Sequence, residues 1–169
     1  MTKLYNGDCL EVIDKLIKDG VQVDAVITDP PYANTGSESS RVTRSAGVPR
    51  EYQFFEAWLR EHLGKWKLIL KPNGFIFFTI DILGAYATEL ACLKIGIKKP
   101  VIGIWNKDMM GMGYVMRRSY EPFCIIPMDE WKPKHRNILD VWTIKHKPNS
   151  KIHNTEKPTE LIKKAIESF

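Results

Sequence analysis

The run Asp29-Pro30-Pro31-Tyr32 brings a carboxylate, a stiff diproline and a phenol ring together over four residues. It follows an apolar, strand-like stretch, Val23-Asp24-Ala25-Val26-Ile27-Thr28. In an open α/β sheet, ligands gather just beyond the carboxyl ends of the strands. A carboxylate and an aromatic face arriving there together suit the grip of a planar nitrogenous base. The same residues also read as a strand followed by a proline turn, with the Asp solvated. An isolated match of four residues leaves both readings standing.

Length and composition bound the rest. A chain of 169 residues has room for one domain with a real core. Its hydrophobic content of 44% and charged content of 27% are those of a soluble globular protein. No apolar stretch is long enough to span a bilayer and the amino terminus is no signal peptide, so no membrane association is expected. Cys9, Cys92 and Cys124 are odd in number, far apart and in no metal-ligand spacing. His62, His135, His146 and His153 do not complete a zinc pattern with them, so no metal is expected and a reducing, cytoplasmic setting is.

The positive charge is concentrated. Between Trp131 and His153 stand Lys132, Lys134, Arg136, Lys145, Lys147 and Lys151 against the single acid Asp140. That excess equals the formal net charge of +5 for the whole chain. Arg41, Arg44 and Arg50 make a second, smaller cluster. Either is a solvated face in its plainest reading; interleaving with Trp131, Trp142 and two histidines favours a nucleic-acid surface.

The elements that must position these groups alternate between strand and helix. Strands are expected at Lys3–Asp8, Val23–Thr28, Phe75–Ile80, Val101–Trp105, Tyr120–Pro127 and Ile138–Ile144. Helices are expected at Leu10–Lys18, Glu51–Leu70, Ile82–Ile95 and from about Pro158 to Ser168, with proline in the first turn. In the second helix, Phe54, Phe55, Trp58, Leu59, Leu63 and Trp66 form a stripe that should pack on a sheet. Lys71-Pro72-Asn73-Gly74 reads as a tight turn. The methionines of the Gly-rich loop Asp108–Tyr114 read as gap-fillers. Ala33–Pro49 is a long Ser-, Thr-, Gly- and Arg-rich loop, a length that in compact domains marks a lid or binding segment. Strand–helix alternation of this kind implies a mostly parallel sheet with helices on both faces.

The chain resembles the amino-methyltransferases of DNA, in the group whose catalytic region precedes the cofactor-binding region. The resemblance rests on Tyr5-Asn6-Gly7-Asp8-Cys9, the strand into Asp29-Pro30-Pro31-Tyr32, Leu70-Lys71-Pro72-Asn73-Gly74, and Trp105-Asn106-Lys107 with Gly111-Met112-Gly113. It continues through Arg118-Ser119-Tyr120-Glu121 and His153-Asn154-Thr155-Glu156-Lys157-Pro158, in the family's order and over nearly the whole chain. It implies a Rossmann-like, three-layer methyltransferase fold, S-adenosylmethionine as cofactor and DNA as partner. By the same likeness, residues 1–121 are the catalytic α/β region, 122–150 a short basic recognition segment, and 151–169 the start of the cofactor-binding region. The small recognition segment implies a short recognition site or loose specificity, and the Ala33–Arg50 loop is expected to order on DNA.

The chemistry such a site needs is separable from the likeness. An exocyclic amine on adenine or cytosine is a poor nucleophile, because its lone pair is delocalised into the ring. Acceptors on both N–H bonds favour a pyramidal nitrogen and stabilise the positive charge that develops during methyl transfer. Asp29 offers one acceptor and the Pro30 carbonyl the other, while Tyr32 offers a stacking face and Pro31 stiffens the turn. The likeness further assigns Asp29, Pro30, Pro31 and Tyr32 to catalysis. It places Asp8, Asp29, Lys157 and Pro158 at the cofactor, and Arg41, Arg44, Arg50, Lys132, Lys134 and Arg136 at DNA. Asp8 reads equally as a helix N-cap, and Lys157 as a solvated helix start. Asp at position 29 is the family's usual letter for adenine-N6 enzymes; cytosine-N4 is the alternative.

One family block is missing. A strand and Gly-rich turn that approach the cofactor normally follow the last helix, whereas this sequence ends at Glu167-Ser168-Phe169. The expectation is therefore a fold incomplete at its carboxyl end, with an uncovered sheet edge. The chain is then a truncated piece, one half of a split enzyme completed by self-association or a second chain, or a silent nucleic-acid-binding remnant.

Overall fold

The computed structural model describes residues 2–32, 52–111, 113–145 and 156–169. Its elements in chain order are α1 (Cys9–Lys18), β1 (Val23–Thr28), α2 (Tyr52–Ile69), β2 (Leu70–Thr79) and α3 (Ile82–Lys94). They are followed by β3 (Val101–Asn106), β4 (Tyr120–Pro127), β5 (Val141–Thr143) and α4 (Thr159–Ser168).

The five strands form one sheet in the order β1-β2-β4-β3-β5. β1 runs parallel to β2, and β3 runs parallel to β5. β4 lies antiparallel to both β2 and β3, so four strands share one direction and β4 alone is reversed. The mostly parallel expectation holds in that sense, with β3 and β4 forming an antiparallel hairpin.

The period-two alternation of strand side chains builds the two cores. Every residue of β2 from Phe75 to Thr79 is buried, because helices cover both faces. Ile76 and Phe78 join Cys124 and Ile126 of β4 in a cluster with Phe55, Leu59, Leu63 and Trp66 of α2 and Ala87 and Ala91 of α3. Phe75 and Phe77 join Phe123, Ile125, Trp105 and Trp142 on the opposite face, where α4 contributes Leu161 and Ala165. Phe77, Phe78 and Phe123 are at most 1% exposed. Burial at that level stabilises by about 1.5–3 kcal/mol for each such side chain. Three layers result: α1, α2 and α3 on one side, the sheet, and α4 on the other.

The α2 stripe packs on the sheet as its spacing requires, except that Phe54 is 54% exposed. Lys71-Pro72-Asn73-Gly74 is not a turn with positive φ. It bulges out of β2, since Val23 pairs with Leu70 while Ala25 pairs with Phe75. The carbonyls of Pro72 and Gly74 accept from Glu130 N and Met128 N, each at 2.9 Å, which ties the bulge to the chain leaving β4. A Cβ at Gly74 would lie 2.8 Å from the Asp24 carbonyl, so the close approach needs glycine.

Other expectations are corrected. Lys3–Asp8 is not a strand: it has no ladder partner, and Leu4 is 94% exposed. The expected strand Ile138–Ile144 shortens to β5, the three residues that pair with β3. Of the loop methionines, Met110 is 71% exposed and fills no gap, Met109 is half-buried, and Met112 lies outside the described residues. The expected boundary between residues 121 and 122 falls inside β4, a strand flanked on both sides. β1 is the edge strand of the described sheet, and its Ala25, Val26 and Ile27 are only half-buried.

Thiol chemistry offers a test of this packing. Cys92 and Cys124 are fully buried and desolvation pushes both thiols up to about 12, whereas Cys9 is exposed. In the native protein at neutral pH one thiol should react with an aromatic disulfide reagent, and all three after unfolding. Rapid reaction of three native thiols would contradict the packing.

Candidate active site

Pairing of Thr28 with Phe78 brings the residue after β1, Asp29, beside the last residue of β2, Thr79. The Thr79 hydroxyl donates a short hydrogen bond to Asp29 Oδ1. Asp29 keeps a side-chain exposure of 42%, so its carboxylate faces the open end of the sheet. Pro30 behind it is buried, and Tyr32 packs against the α2–α3 core. The diproline thus turns the chain with one ring inside and the carboxylate outside.

Three further residues converge there. The Tyr32 hydroxyl donates to Glu121 Oε2 at 2.9 Å and lies 3.5 Å from Asp29 Oδ1. Lys157 Nζ sits 3.0 Å from Asp29 Oδ2 and 3.6 Å from Glu121 Oε2, and 5.1 Å from the centroid of the Tyr32 ring. Lys107 donates to Glu121 Oε1. Glu121 lies in β4, Lys107 directly follows β3, and Lys157 directly precedes the α4 cap residue. The network therefore joins four separate stretches of chain at one end of the sheet.

Its electrostatics follow from burial and pairing. Burial opposes ionisation of Glu121, but the charge of Lys157, the hydrogen bond and charge of Lys107 and the Tyr32 hydroxyl outweigh it, leaving its pKa below the ordinary glutamate value. Burial first, then the Glu121 and Asp29 charges, raises the Tyr32 phenol, which stays a protonated donor. Two carboxylates and two ammonium groups make the cluster formally neutral.

Sequence reasoning brought Asp29, Pro30, Pro31, Tyr32 and Lys157 to this site, and the structure places them together. It missed Thr79, Lys107 and Glu121. The Lys107–Glu121 contact follows from the hairpin register: Trp105 pairs with Glu121, so Lys107, two residues on, is the diagonal neighbour of Glu121 on the same face. Asp8 caps α1, accepting from Leu10 N at 2.9 Å and Glu11 N at 3.3 Å through Oδ1. Pro158 occupies the α4 cap position, and its carbonyl accepts from Leu161 N at 3.0 Å.

The expected basic surface is only partly described. Arg41, Arg44 and Arg50 lie outside the described residues, as do His146, Lys147, Lys151 and His153. Lys132, Lys134 and Arg136 are exposed on the stretch that follows β4. That stretch departs from Pro127, opposite Phe75, whereas Phe123 opposite Thr79 marks the Asp29 end. Four residues of strand separate the two, about 13 Å at 3.3 Å per residue. The tryptophans among these charges are not surface stacking platforms: Trp142 is 1% exposed with its ring 4.4 Å from Phe123, and half-buried Trp131 packs at 6.0 Å from Phe169. A cavity of about 490 Å³ lies under this stretch, between Trp131, Ile138 and the β3–β4 face, away from Asp29. At the Asp29 end, Tyr114, Val115 and Met116 at the β3–β4 connection are 104%, 88% and 80% exposed.

No family model matches the chain. The chain is 28% identical over 174 residues to the Type II methyltransferase M.HhaII of Haemophilus parahaemolyticus, covering 97% of this chain and 73% of that protein. The chain is therefore similar, over nearly its whole length, to a DNA methyltransferase. Among solved structures, the M1.HpyAVI–SAM complex superimposes with a TM-score of 0.67 at 20% identity, over 99% of this chain and 77% of that one. The PvuII DNA methyltransferase, cytosine-N4-specific by name, gives 0.59 at 11% identity, over 96% of this chain and 61% of that one. These likenesses establish the fold, with the Rossmann-like methyltransferase layering expected from the sequence.

Glu121 gives the network a pH signature. Its native pKa lies below the unfolded one, so the unfolded state binds more protons between the two values and stability rises with pH there. The Glu121 contribution is present above the free-glutamate value of about 4.3 and is lost as pH falls through its lower native value. Urea unfolding from pH 7 into the acid range should show a steeper loss for the wild type than for Glu121→Gln. Parallel profiles would contradict the network.

Proposed function

We propose that this protein is an S-adenosylmethionine-dependent DNA methyltransferase acting on the exocyclic N6 of adenine in a base swung out of the duplex. The observation that carries the reading is the Asp29–Tyr32 turn, with its carboxylate directed to the open end of the sheet and its ring anchored by Glu121. Asp29 accepts from one amino N–H and the Pro30 carbonyl from the other. Both become stronger acceptors as the nitrogen turns positive, so they stabilise the transition state more than the ground state. Tyr32, held from behind by the core, gives the ring of the base a flat partner worth about 1–3 kcal/mol, against an unpairing cost of a few kcal/mol.

The site suits a sulfonium cofactor in that Asp29 offers a part-exposed carboxylate and Tyr32 an aromatic face beside it. Asp8, Asp29, Lys157 and Pro158 are the residues that would hold it. When bound, S-adenosylmethionine supplies an electrophilic methyl group; the chain's own task is to position the amine. Adenine is preferred over cytosine because position 29 is Asp, and the cytosine-N4 name of the PvuII enzyme keeps the second base in the test. The type II methyltransferase name of the Haemophilus relative supports a restriction-modification role. Lys132, Lys134 and Arg136, with Arg41, Arg44 and Arg50, would meet phosphates.

Transfer of labelled methyl groups to unmethylated bacterial DNA, followed by nucleoside digestion, should yield N6-methyldeoxyadenosine. N4-methyldeoxycytidine instead would reassign the base. Asp29→Ala should lower turnover by roughly 10²–10³-fold, the loss expected when one transition-state partner is removed, and near-normal turnover would remove Asp29 from catalysis. Lys132→Ala and Arg136→Ala should weaken DNA binding evenly across sequences and each reduce the salt slope by about one. An unchanged slope would take the stretch out of the interface.

A further inference from the structure

We infer that the Lys157 ammonium is a built-in stand-in for the substrate amine, and that Glu121 is the carboxylate onto which it withdraws when a base enters. The inference rests on the methyltransferase reading above and adds a gate to its site.

The geometry of Lys157 matches what the reaction asks of the target nitrogen. Its Nζ donates to Asp29 Oδ2 at 3.0 Å, the carboxylate assigned to the amino group of the base. It also lies 5.1 Å from the Tyr32 ring centroid, over the ring on which the base would stack. A positively charged nitrogen bonded to Asp29 and resting on Tyr32 resembles the methylated amine at the moment of transfer. Both Asp29 oxygens are thereby engaged: Thr79 bonds Oδ1 and Lys157 holds Oδ2.

A lysine that stayed there would oppose the reaction in two ways. It would take up acceptor strength that the amine needs, and its charge would sit beside the charge developing on the nitrogen. The structure supplies an exit close by. Glu121 Oε2 is 3.6 Å from the same Nζ, so a small swing exchanges Asp29 for Glu121 as the primary partner. Lys107 and Tyr32 hold Glu121 in place throughout, and its lowered pKa keeps it ionised and ready to receive a cation. Only 12% of the Lys157 side chain is exposed, so the short transfer between carboxylates costs less than release of a buried ammonium group without a partner. Lys157 and Glu121 are in this sense positioning residues, acting through Asp29.

The arrangement predicts a particular non-additivity. In Glu121→Gln the lysine loses its second site and stays on Asp29. Turnover should fall at least tenfold, with the KM for S-adenosylmethionine within twofold of wild type. Adding Lys157→Met removes the trapped cation, and the double variant, assayed at saturating S-adenosylmethionine because Lys157 is also among the residues that would hold the cofactor, should turn over at least fivefold faster than Glu121→Gln alone. A second readout needs no turnover. A single-stranded mixed-sequence oligonucleotide with a fluorescent end label, whose adenines need no unpairing, should bind Lys157→Met more tightly than wild type. Lys157→Gln repeats both measurements should the methionine variant melt early by circular dichroism. If the double variant is as slow as the product of the two single effects, and the oligonucleotide binds no better, the gate is wrong while the methyltransferase reading stands. If the wild type neither transfers methyl groups nor binds the oligonucleotide, both fall together.

Discussion

A buried carboxylate with no cation beside it is among the most costly groups a fold can contain. Glu121 sits in β4 between the hairpin and the sheet, mostly out of water, and the site is organised around satisfying it. Lys107, Tyr32 and Lys157 each come from a different stretch of chain to do so. The turn after β1, the β3–β4 hairpin and the approach to α4 therefore have their mutual positions fixed by one side chain. Removing that charge would free Lys107 and the Tyr32 hydroxyl and leave Lys157 to Asp29 alone. This is why a glutamate that touches no proposed substrate governs the shape of the site.

The sheet delivers those groups because β4 is reversed. Its amino end, Tyr120–Glu121, meets the carboxyl ends of β1, β2 and β3, which places a β4 side chain at the mouth of the parallel strands. The strands alternate strictly enough that Phe77 and Phe78, neighbours in sequence, belong to different cores. A shift of one residue in β2 would exchange the cores and move Thr79 away from Asp29. Register, and with it the site, is thus enforced by aromatic burial on both faces.

The parts of the fold that were readable in advance are those governed by local rules. The α2 stripe, the buried run of β2 and the strand into Asp29 all follow from period and composition. Lys3–Asp8 failed because a strand needs a neighbour, which a six-residue window does not reveal. The Pro72–Gly74 segment has turn chemistry but serves as a bulge, since the carbonyls it exposes are taken by Met128 and Glu130 from a distant stretch. Trp142 stood among basic residues in sequence yet points into the core, because β5 presents alternate residues to opposite faces. Glu121, Lys107 and Thr79 were invisible as a set for a related reason: their meeting depends on strand order, and the crossing that brings β4 between β2 and β3 leaves no mark in a window of residues. Lys157 was found by likeness to a family, and its partner Glu121 only by geometry.

These observations give a carboxylate beside an aromatic ring at the open end of a sheet, on a fold shared with DNA methyltransferases, and the proposed reading has them hold an amine together with the Pro30 carbonyl. The most direct measurement is a crystal structure of the protein with S-adenosylhomocysteine and a DNA duplex containing its methylation site. The account predicts an extrahelical adenine on the Tyr32 ring, with its amino nitrogen within hydrogen-bonding distance of Asp29 and the Pro30 carbonyl. A target base still stacked in the duplex, or one seated elsewhere with Asp29 turned from it, would contradict the account.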